Sequence, residues 1–151
     1  MEYDLTFMTL ALEEAKSAAA RNEVPIGAVI VDPRDNSVIA IASNRTRELR
    51  DPSAHAEMLA IREACAKAGA QRIPELDLYV SLEPCAMCAA AISFARIRRL
   101  VFAAPDPKGG GVLHGGKFYE QPTCHHRPNV SHGTLADECG DILRGFFREK
   151  R

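Results

Sequence analysis

Two short segments, well apart in the chain, limit the possible folds more than any other feature of the sequence. They are His55-Ala56-Glu57 and Pro84-Cys85-Ala86-Met87-Cys88. Each lies where the residue pattern predicts the start of a helix, and Pro84 suits the first helical position. Cys85 and Cys88 are three positions apart, so both side chains leave the same face of the first turn. If the histidine and both cysteines hold one ion, the starts of the two helices must meet.

The histidine and the two cysteines form a donor set suited to zinc. Unpaired N–H groups and the positive end of a helix dipole favour thiolates at Cys85 and Cys88, and the thiolate is the form that binds zinc. One neutral imidazole from His55 and two thiolates balance the charge of one Zn²⁺. Three protein ligands leave a fourth position for water, which is the arrangement of a catalytic rather than a structural zinc. The sequence therefore predicts one Zn²⁺ per chain.

Glu57 follows His55 by two positions. In a regular helix such residues point about 200° apart, at roughly 100° per residue, so both serve one site only if that site caps the helix N-terminus. Two thiolates weaken the ability of zinc to acidify water, and a nearby carboxylate acting as a base compensates for this. We therefore predict that Glu57 is the catalytic base.

Two other interpretations of the cysteines are open at this point. Cys85 and Cys88 could form a redox pair, which would leave the His-x-Glu segment unexplained. A structural zinc would need a fourth ligand. The residues that could supply it are Cys65, Cys124, Cys139, His125 and His126. The combination of His-x-Glu with a later Pro-Cys-x-x-Cys is more specific than either part and is typical of zinc-dependent nucleobase deaminases.

Outside these segments, predicted strands alternate with predicted helices. Helices are expected at about 5–20, 53–68, 84–95 and 135–150, and strands at about 26–31, 38–42, 76–82 and 100–104. The turn-forming run 32–37 predicts an antiparallel hairpin of the first two strands. Gly69 is placed to end the second helix, and Thr134 to cap the last. The alternation indicates an α/β fold with parallel strands. Because no linker or repeat interrupts residues 1–151, one domain is expected.

Charge and cysteine content narrow the class of protein. The formal net charge is -1, so bulk charge does not indicate a nucleic-acid partner, and the local clusters of basic residues are expected to be mostly solvated. An odd number of cysteines without a secretory signal favours metal or catalytic use over disulfides. Nowhere do about 18 apolar residues run together, as a membrane span would require. We expect a cytoplasmic protein without a membrane partner.

From Glu23 almost to its end, the chain resembles the bacterial tRNA-specific adenosine deaminases, a branch of the zinc-dependent cytidine and deoxycytidylate deaminase superfamily. The matching stretches are Glu23-Val24-Pro25-Ile26-Gly27-Ala28-Val29, Ala54-His55-Ala56-Glu57, Leu82-Glu83-Pro84-Cys85-Ala86-Met87-Cys88-Ala89, Arg96-Ile97-Arg98-Arg99-Leu100-Val101-Phe102, Leu135-Ala136-Asp137-Glu138-Cys139 and Phe146-Phe147-Arg148. The metal motif marks the whole superfamily, whereas the Phe-Phe-Arg end is more selective for the tRNA branch.

The resemblance implies hydrolytic deamination of adenosine to inosine at the wobble position of an arginine tRNA with an ACG anticodon. His55, Cys85 and Cys88 match the zinc ligands, and Glu57 matches the proton shuttle. The residues that match substrate- and RNA-contacting positions are Asn44, Asp106, Lys108, His126, Arg127, Phe147 and Arg148. The implied fold is a three-layer α-β-α arrangement with a mixed sheet of about five strands. The implied partners are the tRNA anticodon stem-loop and a second copy of the chain in a homodimer.

Two other functions are left open. A deaminase of free guanine, cytosine or a nucleoside would use the same zinc and glutamate, and only its outer surface would differ. A non-catalytic, zinc-stabilised RNA-binding module would leave Glu57 without a purpose. The glycine-rich region 106–127 departs from the family pattern, since Pro105 and Pro107 flank Asp106. A loop of this length is usually functional or mobile.

Overall fold

A five-stranded sheet forms the centre of the fold. The structure, a computed structural model, describes residues 1–150. Its strands are β1 (Gly27–Asp32), β2 (Ser37–Ser43), β3 (Asp77–Leu82), β4 (Arg99–Ala104) and β5 (Asn129–His132). Its helices are α1 (Asp4–Ala20), α2 (Ala56–Ala68), α3 (Ala86–Ala95) and α4 (Ala136–Glu149), with a single 3₁₀ turn at Phe118–Glu120. Within residues 1–150, none of these helices is long and apolar enough to cross a membrane.

The sheet is mixed. Its strand order is β2-β1-β3-β4-β5. β1 pairs antiparallel with both β2 and β3, whereas β3, β4 and β5 run parallel to one another. The predicted β1–β2 hairpin and the predicted mixed sheet of about five strands are therefore confirmed. Because β3 and β4 are parallel, their carboxyl ends open at the same edge of the sheet, where ligands bind in many α/β folds.

Helices cover both faces of the sheet and form two separate cores. Successive side chains of a strand point to opposite faces, so a central strand contributes to both. On one face, α2 and α3 pack over Leu78, Leu100 and Phe102. On the other face, α1 and α4 pack over Tyr79 and Val101. The predicted three-layer α-β-α arrangement is confirmed.

A buried ion pair joins α1 to β4 on the α1–α4 face. Arg99 donates to the two carboxylate oxygens of Asp4 at 2.7 and 2.9 Å, and the Tyr79 hydroxyl donates to Asp4 Oδ1 at 2.7 Å. The hydrogen bond from Arg99, followed by that from Tyr79, holds the pKa of Asp4 well below its usual range. The carboxylate is thus charged and fully paired at neutral pH.

The ends of several elements differ from the prediction. α2 and α3 begin at Ala56 and Ala86, later than the expected 53 and 84, because the preceding residues stay extended. Thr134 as the cap of α4 was wrong: the N-cap is Leu135, at φ 59°, and no side chain caps this helix. Gly69 ends α2 at φ 65°, as predicted. β5 was not located from the pattern, since it is short and largely exposed.

Candidate metal centre and neighbouring groove

The starts of α2 and α3 meet at one point. His55 and Cys85 are the N-cap residues of these helices, and both have an extended backbone. An extended N-cap directs its side chain beyond the helix end rather than along its side. His55 Nδ1 lies 3.6 Å from Cys85 Sγ and 3.5 Å from Cys88 Sγ. The ligand atoms of these three residues all lie within 4.8 Å of one another, as a shared metal ion requires.

Three residues, and not four, form this group. In the part of the chain that the structure describes, no further His, Cys, Asp or Glu joins it. Cys124 instead lies beside Ser93 and donates to the His126 carbonyl, and Cys139 is buried in the core of the opposite face. A three-ligand group leaves a coordination position open, which favours a catalytic over a structural zinc.

The protonation of the three residues is linked. The hydrogen bond from Cys88, with a further contribution from His55, lowers the pKa of Cys85 to about 4. The hydrogen bond to Cys85 in turn raises the pKa of Cys88 and of His55. Two sulfurs and an imidazole nitrogen this close together compete for the same protons, and a soft divalent cation can bind all three. The donor set therefore fits zinc.

Glu57 lies in the first turn of α2, beside this group, and is 3% exposed. Burial raises the pKa of its carboxyl to about 7. Its Oε1 is buried and has no hydrogen-bond partner within residues 1–150. A buried oxygen without a hydrogen-bond partner lowers the stability of the fold. This oxygen is therefore suited to bind a water molecule or a substrate group. A carboxyl with a pKa near neutrality can both accept and release a proton at working pH.

Sequence reasoning missed Glu83 as a functional residue. Its side chain is buried and accepts hydrogen bonds from the segment 106–114. Burial acts to raise the pKa of Glu83, but the hydrogen bonds, led by those from the Asp106 N–H and from His114, outweigh it and lower the pKa. The available signal was its position inside the Leu82-Glu83-Pro84-Cys85 stretch.

A groove lies between the segment 105–108 and α4. Its volume is about 1030 Å³. Four of the seven residues predicted to contact substrate or RNA line it, namely Asp106, Lys108, Phe147 and Arg148. Leu82 and Ala104, at the carboxyl ends of β3 and β4, also line it. The metal-binding residues do not line it, so the groove and the metal group are neighbouring but separate features.

The other three predicted residues lie outside the groove. Asn44 is buried, and its side chain donates to Thr46 Oγ1 at 3.3 Å. His126 Nε2 contacts the Ile97 carbonyl oxygen at 2.7 Å. The Arg127 guanidinium donates to the Tyr119 carbonyl. These polar groups thus have partners inside the chain.

Comparison with known sequences identifies the family of this site. Residues 1–104 match the sequence model of the cytidine and deoxycytidylate deaminase zinc-binding region. The tRNA-specific adenosine deaminase of Agrobacterium fabrum is 62% identical over 145 residues, which are 96% of this chain and 94% of that protein. The Bacillus subtilis protein of the same name is 44% identical over 153 residues, covering 100% of this chain and 92% of the relative.

Solved structures agree with the sequence comparison. One structure comes from work on A-to-I editing by tRNA:A34 deaminases at the wobble position of transfer RNA. It has a TM-score of 0.88 and 60% identity to this chain, and the match covers 91% of this chain and 99% of that one. The guanine deaminase of Nitrosomonas europaea has a TM-score of 0.82 and 25% identity, covering 94% and 83%. The chain therefore belongs to the cytidine and deoxycytidylate deaminase zinc-binding family and, within it, to the tRNA-specific adenosine deaminases.

Proposed function

We propose that this chain hydrolyses adenosine to inosine at the wobble position of a tRNA anticodon, with an arginine tRNA carrying an ACG anticodon as the substrate. The observation that carries the proposal is the buried Glu57 carboxyl beside a three-ligand group, with one oxygen that has no hydrogen-bond partner among residues 1–150. A non-catalytic module would have no use for that carboxyl. Family membership supports the choice of adenosine and of tRNA.

His55, Cys85 and Cys88 would hold the zinc, and Glu57 would move the protons. A bound zinc supplies Lewis-acid activation of water at neutral pH. Glu57 Oε1 accepts a proton from the attacking water and delivers it to a ring nitrogen of the adenine. The oxygen of that water adds to the amino-bearing carbon. The same carboxylate then takes the remaining proton of the added hydroxyl and passes it to the amino group, which leaves as ammonia while the C=O of inosine forms. A pKa near 7 suits both directions of transfer.

The groove would bind the anticodon stem-loop. Lys108 and Arg148 supply positive charge for phosphates, which position an RNA without reading its sequence. Phe147 is 47% exposed, and stacking of a base on such a ring is worth about 1–3 kcal/mol. Asp106 borders the same groove. An unpaired loop base costs least to turn out toward a catalytic pocket.

Asn44, His126 and Arg127 would contribute from outside the groove. Arg45 N–H donates to the Ala54 carbonyl at 3.0 Å, so Asn44 lies in a segment that runs beside the residue preceding His55. This position suits contact with the target nucleoside. His126 and Arg127 would contact the RNA through the parts of their side chains that are exposed to solvent.

The active form would be a homodimer in the cytoplasm. Met87 and Phe94 lie on one face of α3 and are 37% and 66% exposed. An exposed apolar face of this kind is a common mark of a subunit interface. A second copy packed there would extend the RNA-binding surface. We expect a dimer in sedimentation equilibrium, and a monomer at micromolar concentration would contradict this assembly.

The test is an inosine assay with the zinc-loaded protein and an arginine tRNA carrying an ACG anticodon. Nucleoside analysis should show inosine at the wobble position. Glu57→Gln should retain one zinc and lose turnover by roughly 10²–10⁴-fold, the usual contribution of a general acid–base. Normal turnover in Glu57→Gln would remove the role assigned to this residue.

A free base is the second candidate substrate, because the guanine deaminase of Nitrosomonas europaea shares the fold. Guanine, cytosine and adenosine should run in parallel with ammonia release as the readout. Ammonia from a free base, without inosine in tRNA, would keep the chemistry and replace the substrate.

A further inference from the structure

The side chain of Glu83 binds one loop with both of its oxygens. Oε1 accepts from the Asp106 N–H at 2.9 Å and contacts His114 Nδ1 at 2.8 Å. The donors to Oε2 are the backbone N–H groups of Val112, Leu113 and His114, at 3.1, 2.8 and 3.1 Å. We name residues 106–114 the Glu83 loop. Five hydrogen bonds thus converge on one fully buried carboxylate.

Within itself, the Glu83 loop makes only a few hydrogen bonds. It contains only turns and bends, without a helix or strand. Its local side-chain bonds run from the Lys108 and Gly109 N–H groups to Asp106 Oδ1, and they close a single turn. The Gly110 N–H also donates to the Asp106 carbonyl. Since buried N–H groups without partners are costly, the two ends of the loop depend on Glu83.

The loop also fits closely against the metal-binding segment. Gly111 N–H donates to the Pro84 carbonyl at 2.8 Å. A Cβ at Gly111 would lie 2.6 Å from the Ala86 nitrogen, and one at Gly110 would lie 2.3 Å from Glu83 Oε2. Backbone atoms of the loop therefore pack directly on the first turn of α3, which carries Cys88.

The structure assigns to Glu83 a positioning role. We propose that Glu83 holds the Glu83 loop in the shape that presents Asp106 and Lys108 to the RNA substrate at the groove. Glu83 acts through the loop and touches neither the substrate nor the metal. The substrate part of this inference rests on the proposed function, whereas the effect on the loop does not.

The test compares Glu83→Gln with a matched control. Glutamine keeps the length of the side chain but replaces one acceptor oxygen by an NH₂ donor, which faces N–H groups. Asp4→Asn is the control, because it also alters a buried, hydrogen-bonded carboxylate, on the α1–α4 face and away from the loop. Both proteins should bind one zinc, as measured by metal analysis.

We expect the amides of residues 106–114 to exchange with deuterium about tenfold faster in Glu83→Gln, because local opening becomes easier. The KM for tRNA should rise about tenfold with little change in kcat, as when substrate binding alone is weakened. Asp4→Asn should show neither change. His114→Ala, which removes one of the five bonds, should give a smaller change of the same kind.

Two results would overturn the proposal. One is unchanged exchange of the loop in Glu83→Gln, and the other is a fall in kcat with KM unchanged. If Glu83→Gln does not fold, His114→Ala decides, and wild-type exchange and KM in that variant would overturn the proposal. If the wild-type protein makes no inosine, the proposed function fails, and the exchange measurement still decides whether Glu83 holds the loop.

Discussion

Glu57 and Glu83 show how surroundings give one type of side chain opposite properties. Both are buried, and both adjoin metal-binding segments. Glu57 Oε1 has no partner in the described residues, and burial raises its pKa to about 7. Glu83 meets five donors, and its pKa is lowered. A carboxyl that exchanges protons suits catalysis, and one that stays ionised suits the fixing of a loop.

Replacing a metal-binding thiol tests the three-ligand group. Cys88→Ala should lose zinc, because two remaining ligands hold the ion poorly. Cys124→Ala is the matched control, since Cys124 is also buried but lies outside the group, and it should keep one zinc per chain. Metal analysis after gel filtration gives the stoichiometry. Zinc loss in Cys124→Ala would instead indicate a structural site with a fourth ligand.

The Asp4–Arg99 pair predicts a pH-dependent contribution to stability. Asp4→Asn should lower the free energy of unfolding at pH 7 by on the order of 3 kcal/mol, because it breaks a buried pair. The folded-state pKa of Asp4 is lowered, so its contribution is complete above the unfolded pKa of about 3.9 and declines as the pH falls through the folded pKa.

Urea unfolding at several pH values measures the contribution of the Asp4–Arg99 pair to the free energy of unfolding. The difference between wild type and Asp4→Asn should be constant near neutrality and should shrink below about pH 4. Glu13→Gln, which alters an exposed pair with Lys16, is the control and should change stability by less than about 1 kcal/mol. A difference that persists unchanged at pH 3 would contradict the assignment.

At the scale of elements, helix ends are the decisive features. The metal group exists because His55 and Cys85 stay extended at the starts of α2 and α3 and direct their side chains to one point. The motifs predicted that the two helix starts meet, but they did not identify His55 and Cys85 as the N-cap residues. The helices begin later than predicted for the same reason, since the ligand residues themselves occupy the caps.

Replacing glycine by alanine should have opposite effects on stability at the end of α2 and inside α4. Gly69→Ala should destabilise the protein by about 1–2 kcal/mol, because alanine is strained at φ 65°. An added Cβ would meet no atom within 4 Å, so this backbone strain is the whole effect. Gly145→Ala, inside α4 and with equally open space, should stabilise it by about 0.5–1 kcal/mol. Thermal unfolding of both variants provides the comparison. Equal effects of the same sign would show that helix geometry at these positions differs from that described.

Elements that depend on distant partners were the ones that sequence reasoning missed. Short apolar runs predicted β1 to β4, of which β1, β3 and β4 are almost wholly buried. β5 pairs only with β4 and is largely exposed, so it leaves no periodic pattern. The role of Glu83 depends on N–H groups more than twenty residues away along the chain, from 23 to 31. Long-range hydrogen bonds of this kind have no local signature.

At the scale of the whole molecule, the sheet separates the metal group from the groove. The metal group is built from α2 and α3 on one face, and the groove is formed with α4 on the other. Substrate would pass from the groove around the carboxyl ends of β3 and β4 to the metal group. Electrostatic attraction in the groove should therefore affect binding without altering the chemical step.

The salt dependence of tRNA affinity tests this separation. A double variant, Lys108→Ala with Arg148→Ala, should reduce the slope of log affinity against log salt by about 1–2, at roughly 0.7 per single-strand phosphate contact. Its kcat at saturating tRNA should stay near the wild-type value. Lys16→Ala, an exposed change on α1, is the control and should leave the slope unchanged. An unaltered slope in the double variant would place the RNA elsewhere.

The placement of the groove and the metal group on different layers also bears on how such a protein can be redesigned. Residues of α4 that line the groove share no hydrophobic core with α2 and α3. Libraries that vary Leu143, Arg144 and Phe147 could thus change which polymer is accepted while the zinc-binding half stays intact. The Glu83 loop is the exception, because it packs on α3 and also lines the groove beside α4. Its sequence would have to be kept unchanged in such libraries.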